Sequence, residues 1–146
     1  MNRPIAWNTF CRVLALAIGV WAMLAAEEPP SFCDLTPAQA AALVTAKGDD
    51  PTFMILDVRT PAEFAAARMA ESYHIDVKAP DFGPRVGRLD RGGVYLVVCR
   101  GGTRSRKAVD MMRAMGFQHV YNLQGGLLKW REGKFPLEGS SPASLD

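Results

Sequence analysis

The sequence predicts an α/β fold in which a parallel sheet carries helices on both faces. Short apolar segments alternate with helical segments along the chain, which is the pattern of repeated strand–helix units. The predicted strands are almost continuously apolar, as expected for strands that are buried on both faces. The chain has 146 residues, enough for one domain with a substantial core.

The first 26 residues differ in composition from the rest of the chain. Arg3 and Arg12 precede an apolar run over residues 13–26, and Glu-Glu-Pro-Pro follows it. A basic start, an apolar run and small residues at its end predict a signal peptide. An uncleaved membrane anchor is the alternative, although the run is shorter than the roughly 20 apolar residues that span a bilayer. We therefore expect a periplasmic or secreted protein, with no stable membrane partner unless the leader is uncleaved.

The charge balance argues against a nucleic-acid partner. The chain has 17 basic and 15 acidic residues, and removal of residues 1–26 deletes two arginines and no acid, which leaves 15 of each sign. A neutral domain lacks the positive charge that binds phosphate backbones. Basic residues are instead concentrated in one segment, where they predict a local field for a small anion. They are Arg100, Arg104, Arg106, Lys107 and Arg113.

Two capping boxes mark helix starts in the first half of the chain. Thr36 and Gln39 form one box, and Thr60 and Glu63 form the other, each with proline at the first helical position. A linker is expected over residues 27–34 because this stretch is rich in proline. The predicted elements that follow are a helix over residues 37–47, a strand over residues 53–58, a helix over residues 61–67 and a weak strand over residues 73–77.

The second half of the chain contains a central apolar strand. Before it, the prolines and glycines of residues 78–91 permit only a broken or short helix. The other predicted elements are a strand over residues 94–98, a helix over residues 105–115 that Gly116 ends, a strand over residues 119–123, a helix over residues 127–132 and a flexible tail over residues 138–146.

The central strand ends at Cys99, and a glycine pair follows it. Gly101 and Gly102 allow backbone conformations that other residues avoid, and a helix is expected to start at Ser105. Loop N–H groups and a helix N-terminus together form an anion cradle that stabilises a thiolate. We therefore predict that Cys99 is a nucleophile beside an oxyanion pocket. The alternative is that Cys99 is a small buried apolar residue, but the flanking glycines and arginines disfavour it.

Three segments resemble the rhodanese family of sulfurtransferases. The pattern Cys-x-x-Gly-x-Arg-Ser over residues 99–105 resembles the active-site loop of that family. Residues 56–64 (Leu-Asp-Val-Arg-Thr-Pro-Ala-Glu-Phe) and residues 121–126, followed by Trp130, resemble two further family segments. The resemblance implies one rhodanese domain over residues 35–137. The chain departs from the family at residues 67–72, where members often have Gly-His-Ile-x-Gly-Ala.

The resemblance implies an enzyme that carries sulfur as a persulfide on Cys99. Family members take this sulfur from thiosulfate or a similar anionic donor and pass it to a thiophilic acceptor such as cyanide or a thiol. One alternative is a non-catalytic rhodanese module that binds a partner or reports redox state. Another is a cysteine phosphatase or arsenate reductase, which share the cradle design. Four residues separate Cys99 from Arg104, one fewer than in related phosphatase loops, and this favours sulfur over phosphate.

The expected site residues divide into substrate-binding and supporting groups. Arg104 is expected to face the pocket and bind the donor, with a structural pairing to loop carbonyls as the alternative. Arg100 is expected to steer the donor from the mouth, with a solvated surface charge as the alternative. Asp57 and Arg59 are expected to brace the loop as an ion pair. The other substrate-binding residues are Gly101, Gly102, Thr103 and Ser105, through backbone N–H groups and, for Ser105, its hydroxyl.

No cofactor or metal is expected, because His74 and His119 have no partners at ligand spacing. Removal of the leader would leave Cys33 and Cys99 as the remaining cysteines. These two could pair in an oxidising compartment. We expect an unpaired Cys99, because Cys33 lies in the proline-rich stretch, which is expected to be mobile.

Overall fold

The computed structural model describes residues 31–139, in which five strands and five helices alternate. The strands are β1 (Ser31–Leu35), β2 (Phe53–Asp57), β3 (Ser72–His74), β4 (Val94–Val98) and β5 (His119–Leu123). The helices are α1 (Pro37–Lys47), α2 (Pro61–Ala66), α3 (Phe82–Val86), α4 (Thr103–Ala114) and α5 (Gly126–Glu132). The predicted signal peptide over residues 1–26, the first part of the predicted linker and the end of the predicted tail lie outside the described residues. Within residues 31–139 no helix is both long and apolar enough to cross a membrane.

The five strands form one parallel sheet in the order β1-β5-β4-β2-β3, which confirms the predicted fold class. One apolar layer contains Val97 of β4 and Met112 of α4, and the opposite layer contains Leu96 of β4 and Leu127 of α5. Helices therefore cover both faces of the sheet. Because β4 is the middle strand, Cys99 follows the centre of the sheet, at the edge where parallel α/β folds bind ligands.

The linker prediction is wrong for residues 31–34, which form most of β1. This strand pairs in parallel with β5, with Cys33 opposite Tyr121. Local sequence did not indicate a strand here, because β1 is stabilised by pairing with a segment almost ninety positions away. Cys33 is accordingly held in the sheet. Cys99 carries a free thiol, as predicted.

The predicted tail starts too early, because Glu138 belongs to the folded domain. Its backbone forms an antiparallel bridge with Arg68, through N–H···O distances of 2.8 and 3.0 Å. Arg68 lies within the turn at residues 67–72, the segment in which the sequence departs from the rhodanese pattern. Glu71 there adopts a positive φ of 55° where the family often has glycine. The turn is therefore kept without glycine, at a cost of about 1–2 kcal/mol for a left-handed residue.

Both predicted capping boxes are formed, whereas β3 and α4 differ from the predicted bounds by two residues or more. The Thr36 hydroxyl accepts from Gln39 N–H, and the Thr60 hydroxyl accepts from Glu63 N–H. The strand predicted over residues 73–77 is the shorter β3, although backbone N–H groups beyond it still donate to β2 and Val58 carbonyls. Helix α4 begins at Thr103, two residues earlier than predicted, and this shift alters the active-site loop.

Candidate active site

The loop that carries Cys99 connects β4 directly to α4. Cys99 is buried, with 1% of its surface exposed. Gly102 is the N-cap of α4 and has a φ of +94°, a conformation that strains other residues. Gly101 has no such φ, and a Cβ added there would meet open space. The special backbone conformation predicted for both glycines is therefore required only at Gly102.

Two hydrogen-bond donors lie within 3.2 Å of the sulfur atom of Cys99. The N–H of Gly102 donates to Sγ at 3.1 Å. The hydroxyl of Ser105, which is fully buried, lies 3.2 Å from Sγ and 3.1 Å from the Gly102 carbonyl, and it can donate to either. The first-turn N–H groups of α4 also lack intrahelical acceptors and carry the positive end of the helix dipole. This environment stabilises negative charge on the sulfur.

The N-terminus of α5 supports the Cys99 loop through backbone contacts. Leu127 N–H donates to the Cys99 carbonyl at 2.8 Å, and Leu128 N–H donates to the Arg100 carbonyl at 3.0 Å. Gly126 has a φ of +60°, and a Cβ there would lie 2.4 Å from the Cys99 carbonyl oxygen. Sequence reasoning recognised the Gly-Gly segment by resemblance but missed this support. The signal that could have shown it was the glycine pair directly after a strand.

Arg104 forms a bidentate ion pair with Glu63. Its Nη1 donates to Glu63 Oε2 at 2.7 Å, and its Nη2 donates to Oε1 at 2.6 Å. The predicted alternative of pairing with loop carbonyls is not what the structure shows, because both of the hydrogen bonds of Arg104 go to a carboxylate on α2. Glu63 was absent from the predicted site residues. It stands 41 positions from Arg104, and only the fold brings the two together.

The charges around Arg104 and Glu63 are mutually stabilising. The hydrogen bonds from Arg104 are the main cause that lowers the pKa of Glu63 from 4.5 to about 2. The pKa of Arg104 is raised, first by its hydrogen bonds to Glu63 and then by the nearby charges of Cys99 and Asp76. Arg104 is therefore close enough to Cys99 to interact with its charge, but its own charge is matched by a carboxylate. Arg100 is exposed, and its role in donor steering stays a prediction.

Asp57 and Arg59 form the predicted ion pair, and Arg59 also donates a hydrogen bond to the connection between α2 and β3. Both side chains are fully buried, and Arg59 Nη2 lies 2.6 Å from Asp57 Oδ2. The same nitrogen also donates to the Ala67 carbonyl, and His74 Nε2 lies 2.7 Å from the Arg59 carbonyl. The pair thus ties the end of β2 to the connection between α2 and β3. The expectation that this ion pair braces the Cys99 loop stays a prediction.

Three residues of the basic cluster predicted near the loop, Arg104, Arg106 and Arg113, contact other side chains. Arg106 forms an ion pair with Asp34, which also accepts from Asn122 Nδ2 at 2.6 Å. Arg113 lies over the ring of Phe32, 5.5 Å from its centroid. These contacts attach α4 to the edge strand β1. The positive potential that attracts anions to the loop therefore depends more on backbone N–H groups, and less on arginine charge, than the sequence suggested.

His74 and His119 do not form a metal site with neighbouring side chains. His74 stacks on Phe64 with ring centroids 4.6 Å apart. Across residues 31–139, no group of three or more His, Cys, Asp or Glu side chains is placed to hold a metal ion.

Comparison with known proteins agrees with this arrangement of strand, cysteine loop and helix. The sequence model of the rhodanese-like domain family matches residues 36–133. The chain belongs to this family. It is 34% identical over 113 residues to the thiosulfate sulfurtransferase GlpE of Pseudomonas fluorescens, a match that covers 77% of this chain and 96% of that protein. The rhodanese resemblance predicted from three motifs is therefore confirmed.

Solved structures and longer relatives define how far the rhodanese similarity reaches. The crystal structure of a rhodanese-related protein from Thermoplasma volcanium is 25% identical, has a TM-score of 0.61 and is matched over 98% of its length and 73% of this chain. A tRNA uridine(34) hydroxylase from Albidiferax ferrireducens is 29% identical over 94 residues, 57% of this chain, but this chain spans only 28% of its length. Together the matches support a sulfurtransferase-family enzyme with a single rhodanese domain.

Proposed function

We propose that the protein is a sulfurtransferase that moves sulfane sulfur from thiosulfate or a similar small anionic donor to a thiophilic acceptor, such as cyanide or a thiol. The transferred sulfur is carried as a persulfide on Cys99. The observation that carries this proposal is the free Cys99 thiol, whose sulfur accepts hydrogen bonds from Gly102 N–H and Ser105 Oγ at the start of α4. These donors stabilise the anionic sulfur that the reaction uses twice.

The reaction has two steps, and the Cys99 sulfur is the nucleophile in the first and the leaving group in the second. The Cys99 thiolate attacks the outer sulfur of thiosulfate, forming a new S–S bond while the S–S bond of thiosulfate breaks and sulfite leaves with the electron pair. The acceptor then attacks the terminal sulfur of the persulfide, and the Cys99 thiolate leaves. Cyanide becomes thiocyanate in this step. The Gly102 N–H, the Ser105 hydroxyl and the first turn of α4 stabilise the negative charge in both steps.

The local geometry favours sulfur transfer over phosphate chemistry. The loop has four residues between Cys99 and Arg104, one fewer than in related phosphatase loops, and a shorter loop suits one added sulfur atom better than a phosphoryl group. The Arg104 fork, which would clamp a phosphoryl group, is bound to Glu63. The intact Cys99 with its two donors also disfavours a purely non-catalytic module. We therefore expect no significant hydrolysis of aryl phosphates.

The proposed activity is tested by comparing the unmodified protein with Cys99→Ser. We expect thiocyanate formation from thiosulfate and cyanide in the unmodified protein and its loss in the variant, with unchanged circular dichroism, because serine keeps the size of the side chain. Substantial thiocyanate formation by Cys99→Ser would contradict the role of this residue. Aryl phosphate turnover that disappears in Cys99→Ser would replace the proposal with a phosphatase.

We also propose that the protein is exported to the periplasm or secreted, with removal of residues 1–26. This proposal is supported by the basic start and the apolar run of the leader. N-terminal sequencing of the protein from separated cell fractions tests it. A cytoplasmic pool that retains Met1, with no shortened form outside the inner membrane, would contradict it.

A further inference from the structure

We propose that Glu63 sets the charge selectivity of the pocket and that the preferred sulfur donor carries one negative charge, as in an organic persulfide or thiosulfonate. This inference rests on the proposed function and specifies its donor class. In this account Glu63 is a positioning residue that acts through Arg104. The negative charge of Glu63 neutralises the positive charge of Arg104, which would otherwise favour an inorganic dianion.

The first observation is that Arg104 is held rather than free. Both oxygens of Glu63 accept from the guanidinium, at 2.6 and 2.7 Å, which occupies one edge of the fork. Glu63 is itself fixed, because its Oε2 also accepts from the Thr60 N–H at 3.1 Å and from the Thr60 hydroxyl at 2.9 Å. Exposed fractions of 25% for Arg104 and 27% for Glu63 show that the pair is mostly removed from water. A substrate anion that takes the place of Glu63 on Arg104 must break both of these charge-assisted hydrogen bonds.

The second observation is the balance of charge beside the sulfur. The positive charge of Arg104 and the negative charge of Glu63 cancel, and the charge of Asp76 is close enough to act on Arg104 as well. Arg106, two positions further along α4, is matched by Asp34. The remaining attraction for an anion comes from Arg100, which is exposed so that solvent screens its charge, from the helix N-terminus, equivalent to about half a charge, and from hydroxyl and backbone N–H donors. Such a field suits one negative charge, and a second charge would meet the Glu63 carboxylate.

The proposed step balances for a singly charged donor. The Cys99 thiolate attacks the outer sulfur of an organic persulfide anion R–S–S⁻, forming a new S–S bond. The S–S bond of the donor breaks, and RS⁻ leaves with its electron pair. Cys99 is oxidised from thiolate to persulfide and the donor is reduced to a thiolate, so no other oxidant or reductant is needed. The outer sulfur keeps its negative charge and becomes the terminal sulfur of the Cys99 persulfide, so no proton is transferred.

The test compares two donors that differ by one charge. Methanethiosulfonate has a methyl group in place of one charged oxygen of thiosulfate. We would measure kcat/KM for each donor, with cyanide as acceptor, in the unmodified protein and in Glu63→Gln. Glutamine keeps an acceptor for Thr60 but removes the charge. The ratio of thiosulfate to methanethiosulfonate is expected to rise roughly tenfold in the variant, because the second charge of thiosulfate then meets an uncompensated Arg104. An unchanged or lower ratio would overturn the inference.

Two control variants separate the charge of Glu63 from other effects. Thr60→Ala removes part of the α2 cap but leaves the Glu63–Arg104 pair. Asp49→Asn removes an exposed carboxylate beyond α1, at the opposite end of the sheet from Cys99. The donor ratio should stay within about twofold of the unmodified value in both controls, because neither changes the charge beside the sulfur. A rise in either control as large as in Glu63→Gln would also overturn the inference.

A measurement on the unmodified protein covers the case in which Glu63→Gln does not fold. Sulfate and methanesulfonate differ by the same charge and would be compared as inhibitors of methanethiosulfonate turnover. We expect sulfate to inhibit no more strongly than methanesulfonate, and stronger inhibition by sulfate would contradict the inference. Failure of the proposed function is distinguishable, since then neither donor would place sulfur on Cys99. Sulfur loading by both donors with an unchanged ratio would remove only the role of Glu63.

Discussion

The Cys99 loop is supported on two sides by contacts of different kinds. On the α5 side, backbone meets backbone: Leu127 and Leu128 N–H groups donate to loop carbonyls, and Gly126 leaves no room for a side chain. On the α2 side, the contact is an ion pair between Glu63 and Arg104, about a quarter exposed. The first side fixes where the loop lies and excludes any added atom. The second side sets the charge near the sulfur and can be changed without moving the backbone.

Gly126→Ala most directly disrupts the contact between the N-terminus of α5 and the Cys99 loop. The added Cβ would lie 2.4 Å from the carbonyl oxygens of Cys99 and Arg100, at a φ of +60°. Left-handed strain costs about 1–2 kcal/mol, and the clash adds to it, so the free energy of unfolding should fall by about 2–4 kcal/mol. Sulfur transfer should be lost because the loop must move. Denaturant unfolding and the rate of thiocyanate formation measure the two effects.

Gly101→Ala is the matched control for stability. A Cβ at Gly101 would meet open space, and the residue does not have a positive φ. The free energy of unfolding should therefore change by less than about 1 kcal/mol, and a small gain is possible because alanine restricts the unfolded chain. Equal losses of stability in Gly101→Ala and Gly126→Ala would show that the α5 contact does not distinguish the two glycines.

Ser105→Ala tests the hydroxyl that donates a hydrogen bond to the Cys99 sulfur. Its hydroxyl lies 3.2 Å from Cys99 Sγ and is fully buried. A hydrogen bond to a charged group is worth about 1.5–3 kcal/mol, so the rate of sulfur transfer should fall roughly 10- to 100-fold. Thr45→Ala, which removes an exposed hydroxyl on α1 that bonds the Ala41 carbonyl, is the control. Rates that fall equally in the two variants would contradict a role for Ser105 at the sulfur.

The α2 side predicts a small, pH-dependent effect on stability. The pKa of Glu63 is lowered from 4.5 to about 2 in the folded protein, chiefly by hydrogen bonds from Arg104. Its stabilising contribution is therefore complete above pH 4.5 and lost as the pH falls through about 2. Because the pair is partly exposed, we expect this contribution to be only about 1 kcal/mol. The difference in unfolding free energy between the unmodified protein and Glu63→Gln should shrink as the pH is lowered, and a constant difference would contradict the pairing.

The sequence predicted the parts of the fold and site that depend on neighbouring residues. Each capping box, the apolar strand before Cys99 and the pair of Asp57 with Arg59 is made of residues only a few positions apart in the sequence. Spacing alone therefore indicated each of them. The family resemblance added the order of the three motifs. Cys99 accordingly lies where it was expected, between a central strand and a helix.

The missed features depend on contacts between distant parts of the chain. Strand β1 forms through pairing with β5, and its five residues lack a strand pattern of their own. Glu63 had a sufficient local role as a helix cap, and nothing local indicated a second partner on α4. The contact of Gly126 with the Cys99 carbonyl likewise needs both segments in place. Local patterns therefore located the nucleophile, whereas its supports required the folded structure.

The most direct measurement of the central claim is the intact mass of the purified, reduced protein after thiosulfate treatment. We expect one added sulfur atom per chain, located on Cys99 by peptide mapping, released by cyanide and absent in Cys99→Ser. An unchanged mass, or added sulfur that remains in Cys99→Ser, would contradict the account.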